Sequence, residues 1–355
     1  MTYDPFARGP HPVGVRTHAT TDATTNRFLP IEVWYPTTDA HRGEDVAPDR
    51  CDHYDLLPGF PPVTQQAVRG AEPRPGSYPL VLFSHGHAGH RRQSTFLCTH
   101  LASHGYVVAS VDHTGNTVAD MLQTIMAIQS GGAVPDVVAE LTRFIDVRPS
   151  DVVAVLDQLL GGAVPELTRL IDRERIGMTG HSFGGWTTLM VTRRDRRIRA
   201  AVPLAPAGGW AELPTNPLAE ALDFDWGRDV PTLYLVAERD SLLPMRGMRE
   251  LFDKTRSPKR MVALKNADHM HFCDRVEEVH EMFRMMPPPG AFEDIAKRVA
   301  PIAELTPPEH AYQFVRGLAL AHMDAALSRH GDAQRFLADA GATLGARGIG
   351  VEVFQ

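Results

Sequence analysis

The chain has 355 residues, 43% hydrophobic and 22% charged, a balance that excludes an intrinsically disordered or collagen-like polymer. A net charge of −7 offers no concentrated basic surface, so nucleic acid is not the expected partner. Cys51, Cys98 and Cys273 form no CxxC pair and leave at least one thiol free, so the expected chain does not depend on disulfides and suits a reducing, cytoplasmic compartment.

Taken in chain order, Ile31–Tyr35 alternates and predicts a partly exposed strand. Leu80–Phe83, Tyr106–Val111, Arg175–Thr179, Ile198–Leu204, Thr232–Val236 and Arg260–Leu264 are short apolar runs of the kind a parallel sheet buries on both faces. Helices are predicted between most of them: Gln93–His104, closed by Gly105, and Asp151–Leu160, N-capped by Ser150. Near the end, Thr306-Pro307-Pro308-Glu309 has the form of a capping box. It opens a helix whose Tyr312, Val315, Ala319, His322 and Ala326 share one stripe and are expected to pack on the sheet. The alternation predicts an α/β fold: one domain over residues 1–355, a mostly parallel central sheet with helices on both faces.

Two stretches interrupt the alternation, near 114–148 and 277–308. The first includes residues 131–146, nearly repeated at 161–172, as expected of a local duplication that added one helix. The second holds Met282, Met285, Met286 and the run Pro287–Pro289. Flexible methionines there suit an adaptable apolar wall, with ordinary loop packing as the alternative.

The strongest chemical signal is Gly180-His181-Ser182-Phe183-Gly184-Gly185, set between a predicted strand and the helical run Trp186–Arg193. A serine at such a sharp turn has an exposed hydroxyl, and the flanking glycines let the turn close. Ser182 is therefore the candidate nucleophile. It needs a base oriented by an acid, and in this arrangement both follow it, acid before base. Asp240, after the strand ending at Val236, is the candidate acid, with Glu238 as competitor. His269, after the strand ending at Leu264, is the candidate base. His271 is its competitor, but two residues on in an extended segment it would face away. Ser84-His85-Gly86-His87 follows another strand, so the backbone N–H groups of His87 and Phe183 are the candidate oxyanion donors. His85, His87 and His90 lack the carboxylate spacing of a zinc site, and no catalytic metal is expected.

The segments FSHGHAGHRR and GHSFGG, the Asp240 loop and ADHMHFCD resemble the α/β-hydrolase superfamily over roughly residues 10–275. They most resemble its branch of platelet-activating-factor acetylhydrolases, dienelactone-hydrolase-like proteins and cutinase-like polyester hydrolases. The resemblance implies an α/β-hydrolase fold with a small inserted cap. It also implies a serine carboxylic-ester hydrolase using no cofactor and acting on a small-molecule or polymeric ester. Animal acetylhydrolases of this type carry their acid in a Leu-Asp-Ala-Trp segment. Here that place reads Leu204-Ala205-Pro206-Ala207, so the acid falls to Asp240, as in the cutinase-like enzymes. Short- to medium-chain esters are the expected substrates; polyesters, phospholipid esters or ligand binding without turnover are the alternatives. No leader or membrane-spanning run is visible in the sequence. Asp4–Pro10, however, resembles the mature start of secreted polyester hydrolases, which keeps a secreted origin open.

Overall fold

Alternating apolar residues, buried on opposite faces, build the centre of the molecule. The computed structural model describes residues 3–355 except 23, 58, 60, 213, 214 and 289. The strands are β1 (Val13–Thr21), β2 (Phe28–Pro36), β3 (Asp52–Tyr54), β4 (Val63–Gln65), β5 (Val68–Arg69), β6 (Tyr78–Ser84), β7 (Val107–Val111), β8 (Ile171–His181), β9 (Ile198–Leu204), β10 (Thr232–Ala237), β11 (Lys259–Leu264) and β12 (Val351–Phe354). Ten form one sheet in the order β12-β11-β10-β9-β8-β6-β7-β2-β1-β5, and β3 pairs with β4 apart from it. The block from β7 to β11 is parallel; β2 and β12 pair antiparallel to its two edges. This is the α/β-hydrolase architecture. No described helix is long and apolar enough to cross a membrane.

The helices needed below are α1 (Thr95–Ser103), α2 (Val118–Gln129), α3 (Val137–Arg143), α4 (Val147–Gly161), α5 (Pro165–Thr168), α6 (Phe183–Arg194), α7 (Pro217–Ala221), α8 (Met245–Lys254), α9 (Val276–Met285), α10 (Ala291–Ala296) and α11 (Pro308–Leu327). Val81 and Phe83 of β6 join Leu97 and Leu101 of α1 and Phe314 and Leu318 of α11 in one core. Leu80 and Leu82, pointing the other way, join Val152, Val155, Leu156 and Leu159 of α4. Strand alternation has placed both sets under helices.

Several local expectations are corrected. Ile31–Tyr35 is wholly buried, because β2 lies inside the sheet rather than at its edge. Its polar Glu32 is buried too, paired with Arg69 (2.8 Å) and Arg92 (2.9 Å). Ser150 is not an N-cap: α4 begins a turn earlier, and the Ser150 hydroxyl donates to the Asp146 carbonyl (2.7 Å). The capping box before α11 does not form, because the Thr306 hydroxyl donates to the Lys265 carbonyl and Glu309 pairs with Arg316. The first helix starts at Thr95 rather than Gln93, and Gly105 follows it in the left-handed region (φ +92°). The near-repeat splits in two: its first copy contains α3, whereas the second makes the single turn α5 and runs into β8.

The sheet reverses its winding at β6. The chain steps to β7 on one side, then crosses back to β8 on the other, so the ends of β6 and β8 lie side by side. There Ser182 joins β8 to α6 at φ +59°, ψ −116°, a conformation rare for a residue with a Cβ. The glycines around it leave no room for side chains. A Cβ on Gly184 would overlap the Ser84 carbonyl oxygen, and one on Gly180 would lie 2.6 Å from it.

Gly184→Ala is expected to cost about 3 kcal/mol or more in thermal or urea unfolding, because backbone rather than a flexible side chain blocks the methyl group. Gly161→Ala, at a position open to solvent, should be neutral by the same measurement. Glu32→Ala strands buried-side arginine charge and is expected to cost about 3 kcal/mol.

Candidate active site

Asp240 and His269 meet. Asp240 lies in the loop after β10, its side chain fixed by the Leu242 and Leu243 amides, which donate to Oδ1 (3.0 and 2.7 Å). Its Oδ2 accepts from His269 Nδ1 at 2.8 Å, and both residues are buried. This acceptor fixes the tautomer: Nδ1 carries the proton and Nε2 presents a lone pair. Burial alone would pull the imidazole pKa down. The charge and hydrogen bond of Asp240, with the charge of Asp268, outweigh that and hold it above the ordinary histidine value.

The competitors are employed elsewhere. Glu238 is exposed and accepts from the Asn266 amide (2.8 Å). Residues His269–Phe272 form a 3-10 turn rather than an extended segment. His271 still faces away, its Nε2 bonded to the Thr306 carbonyl (2.9 Å). Among the described residues no group of side chains could hold a metal ion.

Ser182 stands at the β8–α6 turn, its amide donating to the Leu204 carbonyl (2.9 Å). Its hydroxyl makes no hydrogen bond to His269; in hydrolytic sites that contact often tightens only in the complex with substrate. The neighbouring residue makes the connection: His181 Nε2 donates to the His269 carbonyl (3.1 Å). His181 Nδ1 accepts from Gln93 Nε2 (3.0 Å), and Gln93 Oε1 accepts from the Gly86 amide (2.9 Å). One unbroken chain of donors therefore ties the β6 loop to the serine turn and to the base. A Cβ on Gly86 would lie 3.5 Å from that of Ser182, so the backbone entering His87 runs directly beside the serine. The amides of His87 and Phe183 donate to no carbonyl or side chain among the described residues.

Other supporting residues were not visible in the sequence, because their partners lie far along the chain. Asp268 accepts from the Ser241 amide (2.7 Å) and hydroxyl (2.9 Å) and from the His269 amide, clamping the acid loop to the base loop. Asp274 reaches the start of α1, accepting from the Thr95 amide and hydroxyl (2.6 Å each) and the Phe96 amide (3.1 Å). It acts as a helix cap supplied by a distant loop. A second serine-histidine-aspartate set also exists: the Ser84 hydroxyl lies 2.9 Å from His113 Nε2, and His113 Nδ1 3.0 Å from Asp151. The Ser84, His113 and Asp151 side chains have no solvent-exposed surface, so no substrate reaches them.

Segments from both interruptions of the α/β alternation reach the His87 ring, through Glu140 and Phe292. Phe292 of α10 stacks near the His87 ring (centroids 6.3 Å apart) and meets Phe283 of α9 edge-on. A Cβ on Gly290 would sit 3.3 Å from Val134, so the two insertions touch. Met282, Met285 and Met286 are exposed, so they form no apolar wall, whereas Phe283 and Phe292 are half-buried. Pro289, in the proline run, lies outside the described residues.

Comparison with known proteins agrees with this architecture. Residues 61–130 match the family model of platelet-activating factor acetylhydrolase, isoform II, and residues 142–284 that of PET hydrolase-like proteins. The chain is 26% identical over 228 residues to platelet-activating factor acetylhydrolase of Cavia porcellus, covering 56% of this chain and 48% of that one. It is 28% identical over 198 residues to cutinase est1 of Thermobifida alba, covering 54% of each. The matches thus span about half the length of these curated relatives. Ferulic acid esterase from Streptomyces cinnamoneus superposes with a TM-score of 0.61 at 25% identity, covering 91% of this chain and 93% of that one. The chain therefore has the α/β-hydrolase fold and is similar in sequence both to platelet-activating factor acetylhydrolases and to cutinases.

Proposed function

We propose that the protein is a serine carboxylic-ester hydrolase working through an acyl-enzyme. The observation that carries this reading is the 2.8 Å Asp240–His269 bond, held through His181 beside a serine in strained backbone geometry. In the proposed reaction Ser182 Oγ attacks the acyl carbonyl carbon while His269 Nε2 takes its proton. Asp240 keeps the Nδ1 proton in place and stabilises the imidazolium. The oxyanion accepts from the His87 and Phe183 amides, the latter at the first turn of α6, where the helix dipole favours negative charge. His269 then returns the proton to the leaving alkoxide. A water activated by the same base releases the acid and frees Ser182. The sequence needs no cofactor.

Short- to medium-chain esters, resting against Thr117–Val138 and Glu277–Pro308, are the proposed substrates. The ferulic acid esterase, alike over nearly the whole chain, favours a small ester. A second reading, a polyester substrate, is favoured by the PET hydrolase-like match, which contains Ser182, Asp240 and His269 together. A screen of p-nitrophenyl esters from C2 to C12 beside a polyester film separates the two. A fluorophosphonate probe should label Ser182 in the folded protein. Ser182→Ala is expected to lower kcat by about 10⁴-fold or more with an unchanged melting profile. A protein that binds esters but takes up no probe would instead be an idle ligand-binding hydrolase.

The base works only when neutral, and its pKa is raised. The acidic limb of kcat/KM is therefore expected above pH ~6.5, the ordinary histidine value. The same shift adds stability below that pH, which is lost as pH rises through the folded-state pKa. Asp240→Asn should lower the rate severely and move the limb downward. A pH–rate profile of both proteins checks each point.

A further inference from the structure

Arg148 of α4 has no solvent-exposed surface, yet it forms no ion pair among the described residues. The acid whose charge acts on it, Asp151, is bonded instead to Arg27 (2.8 and 3.0 Å) and to His113. A buried cation without a carboxylate is costly to keep, so its neighbours bear on what it does. All the groups it bonds are neutral, and they include the β6 loop and α6, which carry the proposed oxyanion donors. Its guanidinium donates to the His85 carbonyl, to the Ser84 hydroxyl (3.2 Å), to the Thr187 hydroxyl on α6 (3.2 Å) and to Asn116 Oδ1 (2.6 Å). It also lies over the Phe183 ring, 4.5 Å from the centroid.

The Asn116 contact has a further consequence. With Oδ1 accepting from Arg148, the amide must present Nδ2–H to its other partner, His87 Nδ1, at 2.9 Å. His87 Nδ1 is then an acceptor and its ring a neutral Nε2–H tautomer. Protonation of Nδ1 would set two donors against each other and break the line. Around this ring stand Arg148 behind Asn116, Glu140 of α3 (Nε2 to Oε1 3.8 Å) and the Phe292 face. Burial, and after it the charge of Arg148, holds the imidazole down to about 4.

We propose that Arg148 is the positioning residue of the oxyanion pocket, acting on the His87 loop through Asn116 and the His85 carbonyl, and on the Phe183 turn through its ring and Thr187. Its positive charge, held against the His85 carbonyl and over the Phe183 ring, also favours the negative charge that develops on the substrate oxygen. This role rests on the ester-hydrolase reading above.

The test compares Arg148→Met, Arg148→Lys and Asn116→Asp with the wild type on p-nitrophenyl acetate, with melting curves to confirm folding. Asn116→Asp still accepts from Arg148 but has no donor for His87, so it remains informative even if Arg148→Met does not fold. Arg148→Met is expected to lower kcat by about 30-fold, somewhat less than loss of an oxyanion donor itself, with KM changed less than about threefold. Asn116→Asp should lose about tenfold in kcat, and Arg148→Lys should fall between Arg148→Met and the wild type. In Ser182→Ala protein, nitrogen-15 NMR should show His87 as a neutral Nε2–H ring down to pH ~5. An active wild type whose folded variants keep kcat within twofold would overturn the positioning role alone, as would a His87 that titrates near 6.5. A strut without catalytic consequence would lower melting temperature and leave kcat unmoved. A wild type that neither turns over esters nor takes up fluorophosphonate would overturn the ester-hydrolase reading, and the oxyanion role with it.

Discussion

The steric fit between two neighbouring strand ends governs everything at this site. β6 and β8 are adjacent because the chain reverses its winding at β6, and the turn leaving β8 must pass under the Ser84 carbonyl. Glycine at 180 and 184 is the only way to make that passage, and the resulting tightness forces Ser182 to a positive φ. A hydroxyl in that conformation projects out of the sheet instead of into its core. The same adjacency sets Gly86 against Ser182, bringing candidate oxyanion donors to the serine without any dedicated side chain.

The remaining elements arrive by repetition of one rule. Each parallel strand ends at the same edge of the sheet, so the loops after β10 and β11 deliver Asp240 and His269 to the edge where β8 delivers Ser182. Because β10 and β11 are direct neighbours, a carboxylate and an imidazole at their ends need only short loops to meet. Asp268 adds a second link between those loops through Ser241, so the acid and base are fixed relative to one another before either meets substrate. The Leu204–Ala207 loop after β9 carries no carboxylate, and here it serves the turn instead: the Ala207 amide donates to the Ser182 carbonyl (3.0 Å).

What the sequence disclosed follows the range of the forces involved. Buried parallel strands, the glycine-flanked serine and the order of acid and base are local patterns, and the parallel core lies where they indicated. Boundaries set by distant partners were not legible. α1 starts at Thr95 because Asp274 caps it from the far end of the chain, and Gln93, freed from the helix, links Gly86 to His181. The alternation in Ile31–Tyr35 suggested exposure, but arginines from other segments make a buried Glu32 tolerable. The two copies of the near-repeat show the same limit most directly. Nearly identical residues become a separate helix packed on α7 in one place. In the other, Ile171 pairs with Tyr78 and the chain is drawn into the sheet. Arg148 and Asn116 gave no signal at all, since a lone arginine in an amphipathic run reads as a surface residue.

The presence of two serine-histidine-aspartate sets in one chain separates composition from function. Ser84, His113 and Asp151 satisfy the same donor and acceptor logic as a hydrolytic triad, with hydrogen bonds of ordinary length. Ser84, however, ends a strand in a closed interior, its hydroxyl also accepting from Arg148, and no acyl group approaches it. Ser182 has the opposite attributes: partial exposure, a strained turn, free amides beside it and a base already paired with its acid. Hydrogen-bond connectivity alone would not choose between the two sets; access and backbone geometry do. The buried set then has a structural reading, because its Ser84 accepts from Arg148, which in turn holds the His85 carbonyl in the loop beside the exposed serine.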